Sequence, residues 1–143
     1  MATDRSANVV WQGDLLSGSG TIAQVPSGAF GPLDVSWASR AEEPNGKTSP
    51  EELIAAAWAS CFAMALSNGL AKAGNPPEKL ETSATVTFQP GEGIIRGALT
   101  VRGTVPSLDE AGFLAAAEDA KQNCPVSKAL SGIPDVTLEA ALA

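Results

Sequence analysis

The chain has 143 residues, of which 44% are hydrophobic and 17% are charged, a size and composition typical of one globular domain. It contains no histidine and no tyrosine, which excludes Ser-His-Asp and Cys-His catalysis and removes the commonest metal ligand. Nine Lys and Arg residues against sixteen Asp and Glu residues give a net charge of −7, which argues against nucleic acid and anionic membranes as partners.

The N-terminal third of the chain predicts three β-strands. Residues 7–25 have the pattern of a hairpin with its turn at residues 17–20, and a third strand begins at residue 33, where apolar residues alternate with polar or small ones as far as Trp37. Residues 40–47 are polar and contain Pro, Asn and Gly, which predicts an exposed loop.

The chain opens without a signal-peptide pattern, and two cysteines are too few for a disulfide framework, so we expect a cytoplasmic protein.

A long helix is predicted from residue 50 to about residue 73. Its start is marked by Ser49 as N-cap, Pro50 at the first helical position and Glu52 as the partner of a capping box. Alanine and leucine dominate the sequence that follows, and Gly74 ends it. Local signals therefore define both ends of this element.

This helix is apolar on every side. Between Glu52 and Asn68 only two serines interrupt the apolar residues, so its surface must be covered nearly all round. The apolar run over residues 53–66 is shorter than the roughly 20 residues that a bilayer requires, so we expect no membrane partner. We expect the cover to come either from a second subunit or from a sheet on one side and another helix on the other.

The C-terminal half predicts a second hairpin, two helices and a last strand. The turn of the hairpin is the Pro-Gly-Glu-Gly sequence at residues 90–93, and Ser107 is the expected N-cap of the first of these helices. The resulting order, βββ-α-ββ-αα-β, indicates an α+β fold in which two antiparallel, hairpin-based sheets surround long central helices, within a single domain over residues 1–143. The predicted elements are strands 80–89 and 94–105, helices 107–122 and 124–130, and strand 133–142.

The first cysteine, Cys61, falls in the middle of the long helix. Its neighbours at helical spacing are apolar, among them Trp58 and Met64. Free cysteine is commonly a small buried hydrophobe, and burial alone raises the pKa of the thiol and makes it inert. Position alone therefore favours a structural role for Cys61.

The second cysteine, Cys124, precedes Pro125, which is expected at the first position of a short helix. Cys124 is then an N-cap, where backbone N–H groups and the helix dipole stabilise a thiolate. Helix physics makes Cys124 the better nucleophile, and the equal alternative is a cap whose side chain happens to be sulfur. Two sulfur ligands without histidine do not make a zinc site, so we expect no metal and no cofactor.

Arg40 and two glutamates are candidates for a charged site. A thiolate among apolar side chains needs a nearby permanent cation, and arginine stays charged even when it is partly buried. On an ideal helix Glu51 lies about 80° round from Cys61 and Glu52 about 180° away. Glu51 is therefore the better partner for such a site, and Glu52 the better cap. The alternative is that both glutamates only complement the helix dipole and that Arg40 is a loop charge in water.

Residues 48–66, which contain Cys61, and residues 123–130, which read Asn-Cys-Pro-Val-Ser-Lys-Ala-Leu, form two separate cysteine motifs. Val-Trp-Gln-Gly-Asp at residues 10–14 and Gly-Ser-Gly-Thr at residues 18–21 accompany them. Together, over nearly the full length of the chain, these segments resemble the osmotically inducible protein C family, OsmC/Ohr. The Cys-Pro-Val-Ser form of the second motif, with an arginine shortly before the long helix, is more similar to the OsmC branch than to the Ohr branch.

The resemblance implies an intertwined homodimer with active sites at the subunit interface, which would cover the long apolar helix. It also implies a thiol-dependent peroxidase. In that family Cys61 matches the peroxidatic cysteine, Cys124 the resolving one, Arg40 the arginine that stabilises the thiolate, and Glu51 the glutamate that orients this arginine. These roles reverse the ranking that helix physics gives the two cysteines.

The implied reaction has two halves. The Cys61 thiolate attacks the distal oxygen of an organic hydroperoxide, releases an alcohol and becomes a sulfenic acid, which condenses with Cys124 to a disulfide. A dithiol or a dihydrolipoyl-bearing protein then reduces this disulfide by thiol exchange.

One position departs from the family pattern, because Trp58 stands where close relatives often carry histidine. We expect Trp58 to narrow the pocket or to make it more apolar. Organic hydroperoxides should be preferred over hydrogen peroxide, since each buried CH₂ of an alkyl group contributes about 0.8 kcal/mol.

The alternative function is a non-catalytic binder of a small hydrophobic ligand, or a redox sensor, on the same dimer scaffold.

Overall fold

The computed structural model describes residues 1–143 and divides into two compact units, Met1–Leu53 and Ile54–Ala143. The first unit contains three short strands and a short helix. These are β1 Val9–Gln12, β2 Ser19–Ile22, β3 Leu33–Val35 and α1 Trp37–Ala41. The strands form an antiparallel sheet in the order β1-β2-β3, as predicted for this part of the chain.

The first hairpin turns earlier in the chain than predicted. The Asp14 carboxylate accepts hydrogen bonds from both the backbone N–H and the hydroxyl of Ser17, each at 2.7 Å, and fixes the turn there. Gly20 instead lies within β2 opposite Trp11, where a Cβ atom would come within 2.7 Å of the indole ring. This glycine is required by a close approach inside the sheet and not by a turn.

Two predictions are wrong between residues 36 and 41. The predicted strand does not extend to Trp37, and the predicted loop does not begin at residue 40, because a short helix lies there. The strand ends at Val35, and Trp37 opens α1. Ser36 and Ser39 form a capping box, in which each backbone N–H donates to the other side chain, at 3.1 Å for Ser39 and 3.0 Å for Ser36. These reciprocal bonds favour a helical turn over an extended chain, so Arg40 is a helical residue.

The long helix is α2, Pro50–Lys72, which starts and ends close to the predicted positions. The Ser49 hydroxyl accepts a hydrogen bond from the backbone N–H of Glu52 at 3.2 Å, as expected of an N-cap. At the other end, the N–H groups of Gly74 and Asn75 bond to the carbonyls of residues 71 and 70. This pair of bonds, with Gly74 at φ 85, is a Schellman motif.

The second unit contains most of α2 and a second three-stranded sheet. The other elements are β4 Lys79–Gln89, β5 Gly93–Thr104, α3 Glu110–Asn123, α4 Pro125–Ala129 and β6 Asp135–Leu142. The sheet order is β4-β5-β6, with β4 and β5 forming the predicted antiparallel hairpin. The expectation of a purely antiparallel second sheet is wrong, because β6 pairs with β5 in parallel. The two helices between β5 and β6 supply the crossover connection that a parallel pair requires.

The start of α3 also differs from the prediction. The N-cap is Asp109, whose carboxylate accepts a hydrogen bond from the Gly112 N–H at 2.8 Å. Ser107, the predicted cap, instead donates its hydroxyl proton to the side-chain oxygen of Asn75 at 2.9 Å. Aspartate adds a negative charge at the positive end of the helix, and this favours it over serine as the cap.

A single stripe of α2 forms the centre of the core of the second unit. Trp58, Phe62, Leu66 and Leu70 follow one another at four-residue spacing, and each is 1% exposed or less. Met64, on another side of the same helix, is 72% exposed. By length and hydropathy α2 meets the criteria of a membrane span, which core helices of other proteins also meet. The buried stripe identifies α2 as a core helix, whose remaining apolar surface is left uncovered by this unit.

Candidate active site

The two cysteines, 63 positions apart in sequence, meet within the second unit. Their Sγ atoms are 2.9 Å apart and hydrogen-bonded, and neither cysteine is part of a disulfide. Cys61 precedes Phe62 of the buried stripe, so it lies at the edge of that stripe and is only partly buried. Cys124 is completely buried. The pair therefore consists of one sulfur that solvent can reach and one that it cannot.

Cys124 is held by the helices on either side of it. Its backbone N–H donates to the Ala120 carbonyl at 2.8 Å and closes α3, while its carbonyl accepts from the Lys128 N–H at 3.0 Å and opens α4. Pro125 occupies the first position of α4, as predicted, so Cys124 is the residue before the first helical turn. This double role fixes the direction of its side chain toward α2.

The two thiols have pKa values shifted in opposite directions. Burial raises the pKa of Cys61, and the hydrogen bond with Cys124 raises it further. Burial also disfavours the Cys124 thiolate, but hydrogen bonding from Cys61, from the N–H and hydroxyl of Ser127 and from the N–H of Val126 outweighs this and lowers the pKa of Cys124. Ionisation is therefore favoured more at Cys124 than at Cys61, the direction that the position of Cys124 before α4 predicts.

Trp58 lies in the core and donates a long-range hydrogen bond. Its indole Nε1 bonds to the Ser127 hydroxyl oxygen at 2.8 Å, across 69 positions of sequence. The ring packs on Gly97 of β5, where a Cβ atom would lie 2.4 Å from the indole. Neither Ser127 nor Gly97 was predicted as a site residue. The spacing of three residues, one helical turn, between Cys124 and Ser127 is a signal that could have indicated Ser127. Nothing in the sequence indicates Gly97.

Arg40 and Glu51 form an ion pair in the first unit. The Nε atom of Arg40 lies 3.0 Å from Oε1 and 3.2 Å from Oε2 of Glu51, and its Nη2 atom lies 2.8 Å from Oε1. The Glu51 side chain is 7% exposed and the Arg40 side chain 33%. Glu52 instead accepts a hydrogen bond from the Thr48 hydroxyl at 2.7 Å. The structure thus pairs Arg40 with the glutamate that helix geometry favours and leaves Glu52 at the cap.

No group of three or more Cys, Asp and Glu side chains is close enough together to bind a metal ion. The two sulfurs in contact at 2.9 Å are both groups that a peroxide can oxidise. A thiol and a thiolate in direct contact can exchange a proton, and they can form a disulfide once one of them has been oxidised.

Comparison with known proteins identifies the family. Residues 43–139 match the family model described as OsmC-like protein. The chain belongs to the OsmC-like family. The peroxiredoxin OsmC of Escherichia coli (strain K12) is 36% identical to it over 142 residues, which cover 97% of this chain and 96% of that relative. The resemblance stated from the two cysteine motifs is confirmed.

Two further relatives extend the comparison. An organic hydroperoxide resistance protein of Xanthomonas axonopodis pv. citri (strain 306) is 36% identical over 95 residues, which cover 64% of this chain and 65% of that protein. The crystal structure of the organic hydroperoxide resistance protein OhrB of Bacillus subtilis matches with a TM-score of 0.66 at 25% identity, over 96% of this chain and 98% of that one. The α+β fold of the OsmC-like family is confirmed, and the names of these relatives support a peroxidase-like role in it.

Proposed function

We propose that this protein is a cysteine peroxidase that reduces organic hydroperoxides to alcohols, with Cys61 as the nucleophile and Cys124 as the resolving thiol. The observation that carries the proposal is the contact of the two sulfurs at 2.9 Å, with one sulfur partly exposed and the other buried. A hydroperoxide must reach the sulfur that it oxidises, and this favours Cys61. The resolving thiol must lie close enough to the oxidised sulfur to form a disulfide with it. Cys124 lies at that distance from Cys61.

The oxidative half begins from the form of the pair in which Cys61 is the thiolate and Cys124 holds the proton and donates it to the Cys61 sulfur. The Cys61 thiolate attacks the distal oxygen of the hydroperoxide, the O–O bond breaks, and Cys61 becomes a sulfenic acid. The alkoxide that leaves takes a proton from Cys124 and departs as the alcohol. The resulting Cys124 thiolate then attacks the Cys61 sulfur, hydroxide leaves, and the disulfide forms. Two thiols are oxidised while one peroxide bond is reduced.

The reductive half requires a dithiol, of the kind that a dihydrolipoyl-bearing protein carries. Its thiolate attacks one sulfur of the disulfide and releases the other, and its second thiol completes the exchange. The partial exposure of Cys61 favours attack at that sulfur. We also propose that the protein is cytoplasmic, as expected from its cysteine content, and that it is a homodimer with a single OsmC-like domain per chain, as the family resemblance implies.

Arg40 is proposed as the cation that stabilises the reacting thiolate, with Glu51 as the residue that orients it. Two-point contact with a carboxylate is the geometry that a guanidinium uses to hold a fixed orientation. The Arg40–Glu51 pair has this geometry and is largely shielded from solvent on the Glu51 side. Support for the role in catalysis itself comes from the match of both residues to the family motif.

Single-cysteine variants test the proposal. With a dithiol as reductant, Cys61→Ser should lose hydroperoxide turnover, at least a hundredfold, roughly the loss seen when an essential catalytic group is removed. Cys124→Ser should complete one turnover and accumulate a sulfenic or over-oxidised Cys61. In the unsubstituted protein, one equivalent of cumene hydroperoxide should consume two free thiols per chain.

Three results would contradict this assignment. Retained turnover in Cys61→Ser would remove Cys61 from the reaction. Free thiols that survive cumene hydroperoxide would instead indicate the alternative, a protein that binds a small hydrophobic ligand without reacting with peroxide. Loss of thiols without turnover in the presence of a dithiol would indicate a redox sensor.

A further inference from the structure

We propose that the hydrogen bond between Trp58 and Ser127 is a clamp that holds α4 against α2 and thereby keeps Cys124 opposite Cys61 while the disulfide closes. Trp58 and Ser127 are positioning residues, because the bond joins the two helices and not the two sulfurs. The consequence of the clamp for the peroxide reaction rests on the proposed function, whereas its effect on the equilibrium between the thiol pair and the disulfide does not.

Two contacts join α2 to the segment where α4 begins. On α2, Cys61 follows Trp58 by three residues, which is about one turn of the helix. On the other side, Ser127 follows Cys124 by three residues and lies in the first turn of α4. The two sulfurs meet at 2.9 Å, and the indole Nε1 donates to the Ser127 hydroxyl at 2.8 Å. The two segments therefore touch at two points, matched in opposite chain directions.

The path from Ser127 back to Cys124 is short and stiff. The Cys124 carbonyl accepts from the Lys128 N–H at 3.0 Å, and this bond closes the first turn of α4 around Ser127. Pro125 occupies the first position of that turn, where its ring fixes the backbone φ angle. A Ser127 that is held in place therefore holds the backbone of Cys124 in place as well.

Trp58 is the immobile side of the clamp. It is 1% exposed and belongs to the buried stripe of α2, and its ring packs on Gly97 of β5, where a Cβ atom would not fit. A buried indole N–H needs an acceptor, and the Ser127 hydroxyl supplies one. Moving α4 away from α2 would leave this N–H unpaired inside the core, so the clamp resists that movement.

The α4 helix depends on such attachments. It has five residues, none of which is buried, and Val126 packs against the core only in part. A helix of this length is not stable by itself in water. The bond from Trp58 therefore ties a weakly anchored segment to the most deeply buried part of the unit.

Disulfide closure depends on how closely the two sulfurs are kept together. From the thiol contact at 2.9 Å, closure requires only about 1 Å of approach, so a clamped α4 gives each sulfur a high effective concentration at the other. Without the clamp the reduced pair gains freedom that closure must remove again, which makes closure less favourable. A hydrogen bond with no such role stabilises the thiol and disulfide forms equally and leaves this equilibrium unchanged.

The equilibrium of the cysteine pair with reduced and oxidised glutathione tests the clamp without any peroxide. The two protein thiols become a disulfide while one oxidised glutathione is reduced to two thiols. Ser127→Ala should lower the equilibrium constant for disulfide formation about fivefold, within the range that one hydrogen bond contributes, and so raise the reduction potential by about 20 mV. Trp58→Phe should have a similar effect, and the double variant should show no further loss, because both substitutions remove the same bond.

Thr82→Val is the matched control. The Thr82 hydroxyl on β4 donates to the Ala59 carbonyl of α2 at 3.1 Å, so this variant loses a hydrogen bond to the same helix without involving α4. Its equilibrium constant should equal that of the unsubstituted protein. Circular dichroism establishes that each variant is folded, and Ser127→Ala, a small change at a half-buried site, decides the outcome if Trp58→Phe unfolds.

An unchanged equilibrium constant in Ser127→Ala would overturn the clamp. An equal fall in Thr82→Val would also overturn it, as would effects of Ser127→Ala and folded Trp58→Phe that add in the double variant.

The peroxide reaction gives a second measurement. Excess organic hydroperoxide should convert a several-fold larger share of Cys61 to sulfinic acid in Ser127→Ala than in Thr82→Val, because slower closure leaves the sulfenic acid open to further oxidation. Equal shares, measured by mass spectrometry, would overturn the role of the clamp in closure. A Cys61 that the hydroperoxide oxidises in no variant would refute the proposed function and leave the glutathione equilibrium to decide the clamp.

Discussion

At the scale of single residues, the chemistry depends on which polar hydrogen atoms reach which sulfur. Cys61 and Cys124 are chemically identical side chains, yet burial and the hydrogen bond with Cys124 raise the pKa of Cys61, whereas hydrogen bonding from Cys61, Ser127 and Val126 lowers that of Cys124. The position of Cys124 before a helix predicts the same direction from the sequence. The nucleophile is nevertheless proposed at Cys61, since accessibility and not resting ionisation decides which sulfur meets the hydroperoxide.

The Arg40–Glu51 pair leads to a prediction at the same scale. Arg40→Lys keeps the positive charge but loses the two-point contact with Glu51, because an ammonium is a point charge without the guanidinium fork. We expect the oxidation of Cys61 by an organic hydroperoxide to slow roughly tenfold, equivalent to about 1.4 kcal/mol. Stopped-flow measurement of thiol loss provides the rate.

Arg96→Lys is the matched control for this substitution. Arg96 pairs with Asp135 at 3.1 Å, but both side chains are more than half exposed, so the pair is screened by water. This variant should oxidise at the unsubstituted rate. An equal rate in Arg40→Lys would show that orientation by Glu51 has no part in the reaction.

At the scale of helices and strands, the elements with local signals were predictable and those with distant partners were not. The cap at Ser49, the proline after it and Gly74 are all sequence-local, and α2 is found where they indicate. The short α1 was missed because five residues are too few to show helical periodicity, and its capping box of two serines resembles a strand end. The parallel pairing of β6 with β5 depends on where α3 and α4 pack, which no local pattern encodes.

The candidate site follows the same division. Cys124 as the residue that precedes α4 was predictable from Pro125. The contact between the two cysteines came only from the family resemblance, because 63 intervening positions leave their distance open. Trp58 and Ser127 meet across 69 positions, and the glycine that makes room for the indole lies on a third element. Such contacts are properties of the folded core and not of any segment.

Gly97 provides the prediction for β5. A methyl group at this position would lie 2.4 Å from the Trp58 ring, which the packed stripe of α2 cannot move away from. Gly97→Ala should therefore lower the free energy of unfolding by about 1–3 kcal/mol, the usual cost of overpacking a core. Gly132→Ala is the control, because no atom lies within 4 Å of its Cβ position. Urea unfolding followed by circular dichroism compares the two, and equal stability would contradict the tight packing.

At the scale of the whole molecule, the uncovered apolar surface of α2 supports the proposed homodimer. The second unit covers the stripe from Trp58 to Leu70 and leaves Met64 exposed. We expect Met64→Glu to convert the dimer to a monomer, since a carboxylate buried without a partner costs several kcal/mol. Sedimentation equilibrium measures the mass, and Leu114→Glu, at an exposed apolar residue of α3, should remain dimeric. A dimeric Met64→Glu protein would place the interface elsewhere.

The burial of Trp58 beside the sulfur pair gives the protein an optical reporter of its own redox state. Indole emission is quenched by neighbouring thiolates and disulfides to different extents. Trp58 lies one helical turn before Cys61 and donates to Ser127 of α4, the helix that Cys124 precedes. The other two tryptophans, Trp11 and Trp37, belong to the first unit. Subtracting the spectrum of Trp58→Phe would isolate the emission of the reporting indole. Oxidation and reduction of the cysteine pair could then be followed in real time, without labels or trapping reagents.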